Sequence, residues 1–212
     1  MNYNKLRTEL EDVLAGKHDT RFAEVLTHLH CMSTARVYAV INAVVSCMDP
    51  HELYVEVGTY QGGSLISALL GNNAQAIGID SFHEFTATNS KERTRGNLEA
   101  FGMADRVALF DMRYQDYFGS LPADFKIAVY NYDGEHGYEP QLAGMEAAWS
   151  HLHKGSVIIV DDYFYPEVTR AVNQFIANHV DRVKVLLIVD SLNETNAPDP
   201  VWWNGVVCLR VL

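Results

Sequence analysis

The chain has 212 residues, 48% of them hydrophobic, enough for one well-cored α/β domain with some helical decoration. Sixteen basic residues against 27 acidic ones leave a formal net charge of −11, which repels polyanions, so neither nucleic acid nor a membrane surface is expected as a partner. The N-terminus lacks the apolar core of a signal peptide and no apolar run approaches the length of a membrane span, so a cytoplasmic protein is expected. Cys31, Cys47 and Cys208 stand apart and outside any C-x-x-C spacing, which argues against a disulfide framework or a zinc site and for buried reduced thiols.

Residues 3–14 and 20–48 read as helices, with Leu6, Leu10, Val13 and Leu14, then Val37, Val40, Ile41, Val44 and Val45, at helical spacing. Asp49-Pro50 closes this section, because proline disfavours helix in the residue before it. Residues 1–50 are therefore taken as a helical extension that packs on the sheet edge, caps the ligand site or forms an oligomer contact. Residues 51–212 are taken as the ligand-binding domain, a single structural unit.

That domain opens on residues 53–64, a short strand that breaks into a glycine-studded turn and then a helix start at Ser64. Gly58, Gly62 and Gly63 let the backbone approach a ligand closely. A dinucleotide fingerprint needs G-x-G-x-x-G, and here three non-glycines separate Gly58 from Gly62. Glu56, two residues before the first glycine, suits a ligand carrying an ammonium or sulfonium better than a pyrophosphate.

Residues 75–80 read as the second strand. It ends in Asp80, placed to accept hydrogen bonds from ribose hydroxyls at the carboxyl edge of a doubly wound sheet. Residues 81–96 then read as a polar, lid-like loop leading to a helix near 97–101. Residues 105–110 are the third strand and 125–132 the fourth, which delivers Asp133-Gly134-Glu135-His136-Gly137-Tyr138-Glu139. A helix over 138–152 follows, and residues 155–160 are an apolar fifth strand that delivers Asp161-Asp162. Pro166 opens the next helix, 183–189 form the sixth strand, 191–200 a turn-rich loop and 202–212 the last strand.

Neighbouring parallel strands lie about 5 Å apart, so adjacent fourth and fifth strands bring Asp133, Asp161 and Asp162 into one crevice. Three carboxylates there repel one another unless neutralised, and an all-oxygen set favours Mg²⁺ or another hard divalent cation over zinc. His136 lies three residues beyond Asp133 and titrates near neutrality, the property of a general base for a substrate hydroxyl. His28 and His30, like His151 and His153, sit two apart on expected helices, where side chains diverge.

The pattern Glu56-x-Gly58-x-x-x-Gly62-x-Ser64 resembles motif I of class I S-adenosylmethionine (SAM) methyltransferases. Together with the Asp133 to Glu139 run and Asp161-Asp162, it resembles the metal-dependent small-molecule O-methyltransferases that act on sugars of macrolide and aminocoumarin antibiotics, and the cephalosporin-hydroxylase-like branch of that group. The resemblance covers residues 53–162. It implies a Rossmann-like, mostly parallel seven-stranded sheet with an antiparallel last strand inserted beside the fifth. It also implies SAM as cofactor, held at its methionine end by Glu56, Gly58, Tyr60, Gly62 and Ser64 and at its ribose by Asp80. The adenine contact of such proteins lies just after the third strand, which makes Asp111 its candidate, although that loop registers in more than one way. Asp133, Asp161 and Asp162 would hold Mg²⁺, with His136 as base. Two positions depart from the family: Gly137 stands where Ser is usual, and Tyr130, Asn131 and Tyr132 stand where apolar residues are common.

The expected activity is therefore SAM-dependent, Mg²⁺-assisted methylation of a hydroxyl on a small molecule, with a non-catalytic SAM- or nucleoside-binding protein of the same fold as the alternative. A nicotinamide oxidoreductase is disfavoured by the glycine spacing. Tyr60, Phe82, Phe85, Trp202 and Trp203 are candidates for an aromatic wall that would suit a sugar or a planar phenol; vicinal sugar diols and catechol-like phenols both satisfy a two-oxygen contact. Many enzymes of this class self-associate, so a homo-oligomer is expected without a fixed subunit count.

Overall fold

Among the described residues six strands alternate with helices and a seventh follows the sixth directly, the central ones being apolar runs buried on both faces of one sheet. The computed structural model describes residues 1–84, 86–189 and 199–212. The strands are β1 (Leu53–Val57), β2 (Gln75–Asp80), β3 (Val107–Asp111), β4 (Ile127–Tyr132), β5 (Leu152–Asp161), β6 (Val183–Val189) and β7 (Val206–Val211). They form one sheet in the order β3-β2-β1-β4-β5-β7-β6. All ladders are parallel except those of β7, which lies antiparallel between β5 and β6, as the resemblance implies. The strand order reverses between β1 and β4. That switch point is where ligands bind in open α/β sheets, outside the carboxyl ends of the strands.

Helices α1 (Tyr3–Leu14), α2 (Ala23–His28), α3 (Ala35–Val45) and α4 (Gly63–Leu69) cover one face. Helices α6 (Tyr114–Ser120), α7 (Tyr138–Trp149) and α8 (Pro166–Asn178) cover the other. Every residue of α3 from Val37 to Val45 is buried, because α3 packs between α1 and α4 as well as on the sheet. The N-terminal helices thus supply part of the same core as the strands. Asn2 caps α1 by accepting the Lys5 N–H at 3.1 Å, a contact worth about 1 kcal/mol.

Several boundaries differ from the expectation. The single helix expected over residues 20–48 is two helices: Leu29 is extended, and the Thr34 hydroxyl accepts the Val37 N–H to start α3 anew. Helix α5 (Ser90–Ala100) begins within the expected loop, because Thr94 and Asn97 are tied to the glycine turn, their side chains donating to the carbonyls of Tyr60 (2.7 Å) and Gln61 (2.8 Å). Strand β5 starts at Leu152 rather than 155, and the expected helix before it stops at Trp149. His151 therefore lies in a turn and His153 on β5, while His30 follows the end of α2. The last strand starts at Val206, after a turn at 199–205 closed by reciprocal Asp199 and Trp203 backbone bonds of 2.7 and 2.8 Å. Most of the expected 191–200 loop lies outside the described residues.

The polar residues of β4 all have work. The Tyr130 and Tyr132 hydroxyls donate to the carbonyls of Gly144 (2.9 Å) and Pro140 (3.1 Å), pinning α7, and Asn131 donates to Glu56 at 3.2 Å. Gly144 is required there, since a Cβ would lie 2.0 Å from the Tyr132 ring. Gly137 is the N-cap of α7 and gives it no side-chain cap, the cost of having Gly at that position. Among the described residues no helix is long and apolar enough to cross a membrane. All three cysteines are free, Cys47 and Cys208 buried and Cys31 partly so.

Candidate functional site

A cleft of about 930 Å³ opens over the carboxyl ends of β1, β2, β4 and β5. Its volume lies within the range of small-molecule sites, roughly 300–1,000 Å³. One end is built by the glycine turn. Gly58 (φ 86°) and Gly62 (φ 85°) take the left-handed conformation that favours glycine, and a Cβ on Gly58 would lie 1.8 Å from the Asp133 carbonyl oxygen. The turn that carries the cofactor motif is thus packed directly on the strand end that carries the first acid.

Asp80 organises this end. One carboxylate oxygen accepts the N–H groups of Thr59 and Tyr60, both at 2.9 Å, and the other accepts the Phe82 N–H at 2.7 Å. A carboxylate has about four acceptor sites, so one remains for a ligand hydroxyl.

Glu56 lies beneath the turn and is fully buried. It accepts hydrogen bonds from Ser64 (2.9 Å), Asn131 (3.2 Å) and the Tyr54 hydroxyl. Burial outweighs these bonds and pushes its carboxyl up to about 7. Glu56 and Ser64 therefore tie β1 to the first turn of α4 from below, whereas Gly58, Tyr60 and Asp80 line the cleft itself. Asp111 is exposed and ion-paired with Lys91 at 2.5 Å; Met112, Arg113, Tyr114 and Gln115, just beyond it, form the cleft wall.

The other end is acidic. Tyr132 pairs with Val160, so Asp133 and Asp161 follow side by side at the tips of β4 and β5. Asp133, His136 and Asp162 each offer an atom within 4.8 Å of the others, a set of hard oxygen and imidazole donors. The His136 Nε2 lies 2.9 Å from Asp162 Oδ2 and 3.7 Å from Asp133 Oδ1. Burial would lower the ring's pKa; hydrogen bonds to, and the charges of, Asp133 and Asp162 outweigh it and raise it to about 10. Burial first, and the neighbouring carboxylates second, push Asp161 well above the usual carboxylate range. Asp133 is raised too, by burial and by Asp162, against the opposing hydrogen bond from His136. Asp161 stands beside this set rather than in it: it is buried and accepts the Asp162 N–H at 2.9 Å. Among the described residues the ion pairs of Asp133 and Asp162 go to the His136 ring, and crowded acids of this kind form the environment that a hard divalent ion neutralises, so the residues fit such an ion.

Of the candidate aromatics, Tyr60, Phe82 and Trp203 line the cleft. Trp202 lies beneath the Arg36 guanidinium at 5.6 Å instead, and Phe85 lies outside the described residues. The sequence reading missed Met32, Tyr114, Tyr165 and Asn204. Tyr165 stacks on His136 with ring centroids 5.5 Å apart. Asn204 donates to Asp162 Oδ1 at 2.6 Å. The only sequence signal for Asn204 is the turn dipeptide Asn204-Gly205 ahead of the last strand. The N-terminal helices reach the same rim through Met32 and through His30, 3.2 Å from the Tyr60 hydroxyl.

Residues 55–163 match the family model described as a methyltransferase domain. A relative from Acanthamoeba polyphaga mimivirus, an uncharacterized protein, is 25% identical over 162 residues, 71% of this chain and 68% of that protein. Among solved structures, cofactor-bound Rv0187 from MTB superposes with a TM-score of 0.67 at 17% identity, covering 91% of this chain and 90% of the other. The O-methyltransferase from Bacillus cereus, in complex with SAH, superposes with a TM-score of 0.60 at 15% identity, covering 99% and 91%. A turn of this spacing, a seven-stranded sheet with this strand order and a family match over half the chain lead to one assignment. The chain belongs to the methyltransferase domain family and has the fold of the class I, SAM-dependent methyltransferases.

Proposed function

We propose that the chain transfers the methyl group of SAM to a hydroxyl oxygen of a small molecule, with Mg²⁺ or a similar hard cation assisting. The observation that carries this reading is the convergence of Asp133, His136 and Asp162 in the same cleft as the glycine turn and Asp80. The likeness of fold to the Bacillus cereus O-methyltransferase supports transfer to oxygen.

In this reading the turn from Gly58 to Gly62, with Tyr60, cradles the methionine end of SAM, and the free acceptor site of Asp80 takes a ribose hydroxyl. Glu56 and Ser64 hold the turn in shape from below. The wall at Met112 to Gln115, rather than Asp111, faces the remaining part of the nucleoside. Asp133 and Asp162 would hold the cation, with Asp161 buried beside them. A bound divalent cation would lower the pKa of an acceptor hydroxyl that is otherwise a poor nucleophile. His136 takes up that proton, which requires that Asp133 and Asp162 no longer hold the ring in its charged form. The acceptor oxygen forms a bond to the methyl carbon as the carbon–sulfur bond breaks, leaving S-adenosylhomocysteine (SAH). Tyr165, Trp203 and Met32 bound the acceptor end. The net charge of −11, and Glu135 and Asp162 within the cleft, weigh against a polyanionic acceptor such as RNA.

The test is SAH release on incubation with SAM and a panel of vicinal diols and catechols, with Mg²⁺ or with EDTA. SAH formation that depends on both acceptor and cation supports the reading. Cation-independent turnover removes the metal from it, and SAM binding without turnover on any acceptor favours a binding protein.

A further inference from the structure

Asp162 stands in a backbone conformation that aspartate rarely takes, φ 55°, and its side chain is almost fully buried. Its two oxygens are used differently: Oδ2 meets His136 at 2.9 Å, and Oδ1 accepts from Asn204 Nδ2 at 2.6 Å. Asn204 belongs to the turn ahead of β7, a segment closed by its own backbone bonds. Asp199 and Trp203 exchange backbone bonds across it, and Trp203 (φ 55°) and Gly205 (φ 81°) are both left-handed. The turn is also fastened to the loop after β5, since Phe164 N–H donates to the Asn204 carbonyl at 2.8 Å and Tyr163 N–H to the Gly205 carbonyl at 3.3 Å. The amide therefore reaches Asp162 from a frame that is already fixed. The same amide nitrogen lies 3.5 Å from the Tyr165 hydroxyl, whose ring stacks on His136.

We infer that Asn204 is a positioning residue of the methyl-transfer site: it clamps Asp162 Oδ1 so that Oδ2 alone is presented to Asp133 and His136, and thereby sets the cation affinity of the cleft. This rests on the reading of Asp133 and Asp162 as cation ligands. The acid pair is thereby keyed to the antiparallel β7, the strand that distinguishes this sheet from a plain dinucleotide fold. Among the described residues the hydrogen bonds of Asn204 go to Asp162, Tyr165 and Phe164, and none goes to the glycine turn or to Asp80.

The test is Mn²⁺ binding followed by electron paramagnetic resonance, with SAM affinity by calorimetry and thermal melts run alongside. Outer groups that orient metal ligands typically contribute 10- to 100-fold in affinity. Asn204→Ala and the volume-preserving Asn204→Leu should each weaken Mn²⁺ binding by about that factor and lower kcat, while SAM affinity stays within about twofold. Asn204→Ser keeps a hydroxyl donor and should recover part of the loss. Unchanged Mn²⁺ affinity in Asn204→Leu, with wild-type binding intact and abolished by Asp133→Asn, would overturn the role of Asn204 alone. Absence of Mn²⁺ binding in the wild type would overturn the cation reading itself, and this inference with it.

Discussion

The two ends of the cleft treat charge in opposite ways. At the glycine-turn end, Asp80 spends its acceptor sites on three backbone N–H groups and Glu56 spends its own on Ser64, Asn131 and Tyr54. These acids build the backbone shape, and the ligand meets a finished surface. At the other end Asp133, Asp161 and Asp162 crowd together at two strand tips, with His136 as the nearby cation. That arrangement contributes little to folding, because buried carboxylates raise one another's pKa. One end is organised by acids whose oxygens are held by hydrogen bonds and the other by charges left in conflict, the division expected between a binding surface and a reactive one.

The comparison breaks most completely at Gly58, where the glycine turn packs on the Asp133 carbonyl. Gly58→Ala forces a strained φ and drives a Cβ into the Asp133 carbonyl, so a loss on the order of 4 kcal/mol in denaturant unfolding is expected, together with loss of both SAM and cation binding. Next in size is Asp133→Ala. Turnover should fall by about 1,000-fold while calorimetric SAM affinity changes little; an equal loss of both would dissolve the separation of the two ends.

Glu56→Gln sharpens the contrast through pH. A glutamate that ionises near 4.5 when unfolded and at about 7 when folded favours the fold most below 4.5, and that contribution is lost as pH rises through about 7. Wild type should therefore lose about 3 kcal/mol relative to Glu56→Gln between pH 4.5 and 8, measured by denaturant titration at each pH. Asp133 and Asp161 shift in the same direction in both proteins, and because the charge of Asp133 is one of the causes that raise Glu56, the difference reports Glu56 together with its coupling to Asp133. The smallest effect is expected for Asp80→Asn, which keeps an acceptor oxygen but turns an amide toward the Thr59, Tyr60 and Phe82 donors. SAM affinity should weaken about tenfold and stability should fall by about 2 kcal/mol, with Mn²⁺ affinity unaltered.

The strands were legible because they are short apolar runs punctuated by turns, and Gly58, Asp80, Asp133 and Asp161 because they fall at or just beyond strand ends that a parallel sheet gathers on one edge; the place of the last strand came from the resemblance. What stayed hidden depended on orientation rather than position. Adjacent Asp161 and Asp162 read alike in sequence, yet the left-handed conformation of Asp162 sends one toward His136 and leaves the other buried against its neighbour's N–H. Trp202 and Trp203 likewise part company, one under Arg36 and one in the cleft. Asn204 comes to Asp162 from 42 residues further along the chain and Tyr165 to His136 from 29, and no local pattern encodes either meeting. Helix α5 was concealed because its placement rests on bonds from Thr94 and Asn97 to a turn some 34 to 36 residues earlier.

The most direct test of the two-ended cleft is calorimetric titration of chelated protein with SAM, followed by the same titration and a turnover assay after Mg²⁺ is restored. The account predicts SAM binding of similar affinity in both states, and methyl transfer to a diol or catechol only when Mg²⁺ is present. Turnover undiminished in EDTA, or SAM binding that appears only with Mg²⁺, would contradict it.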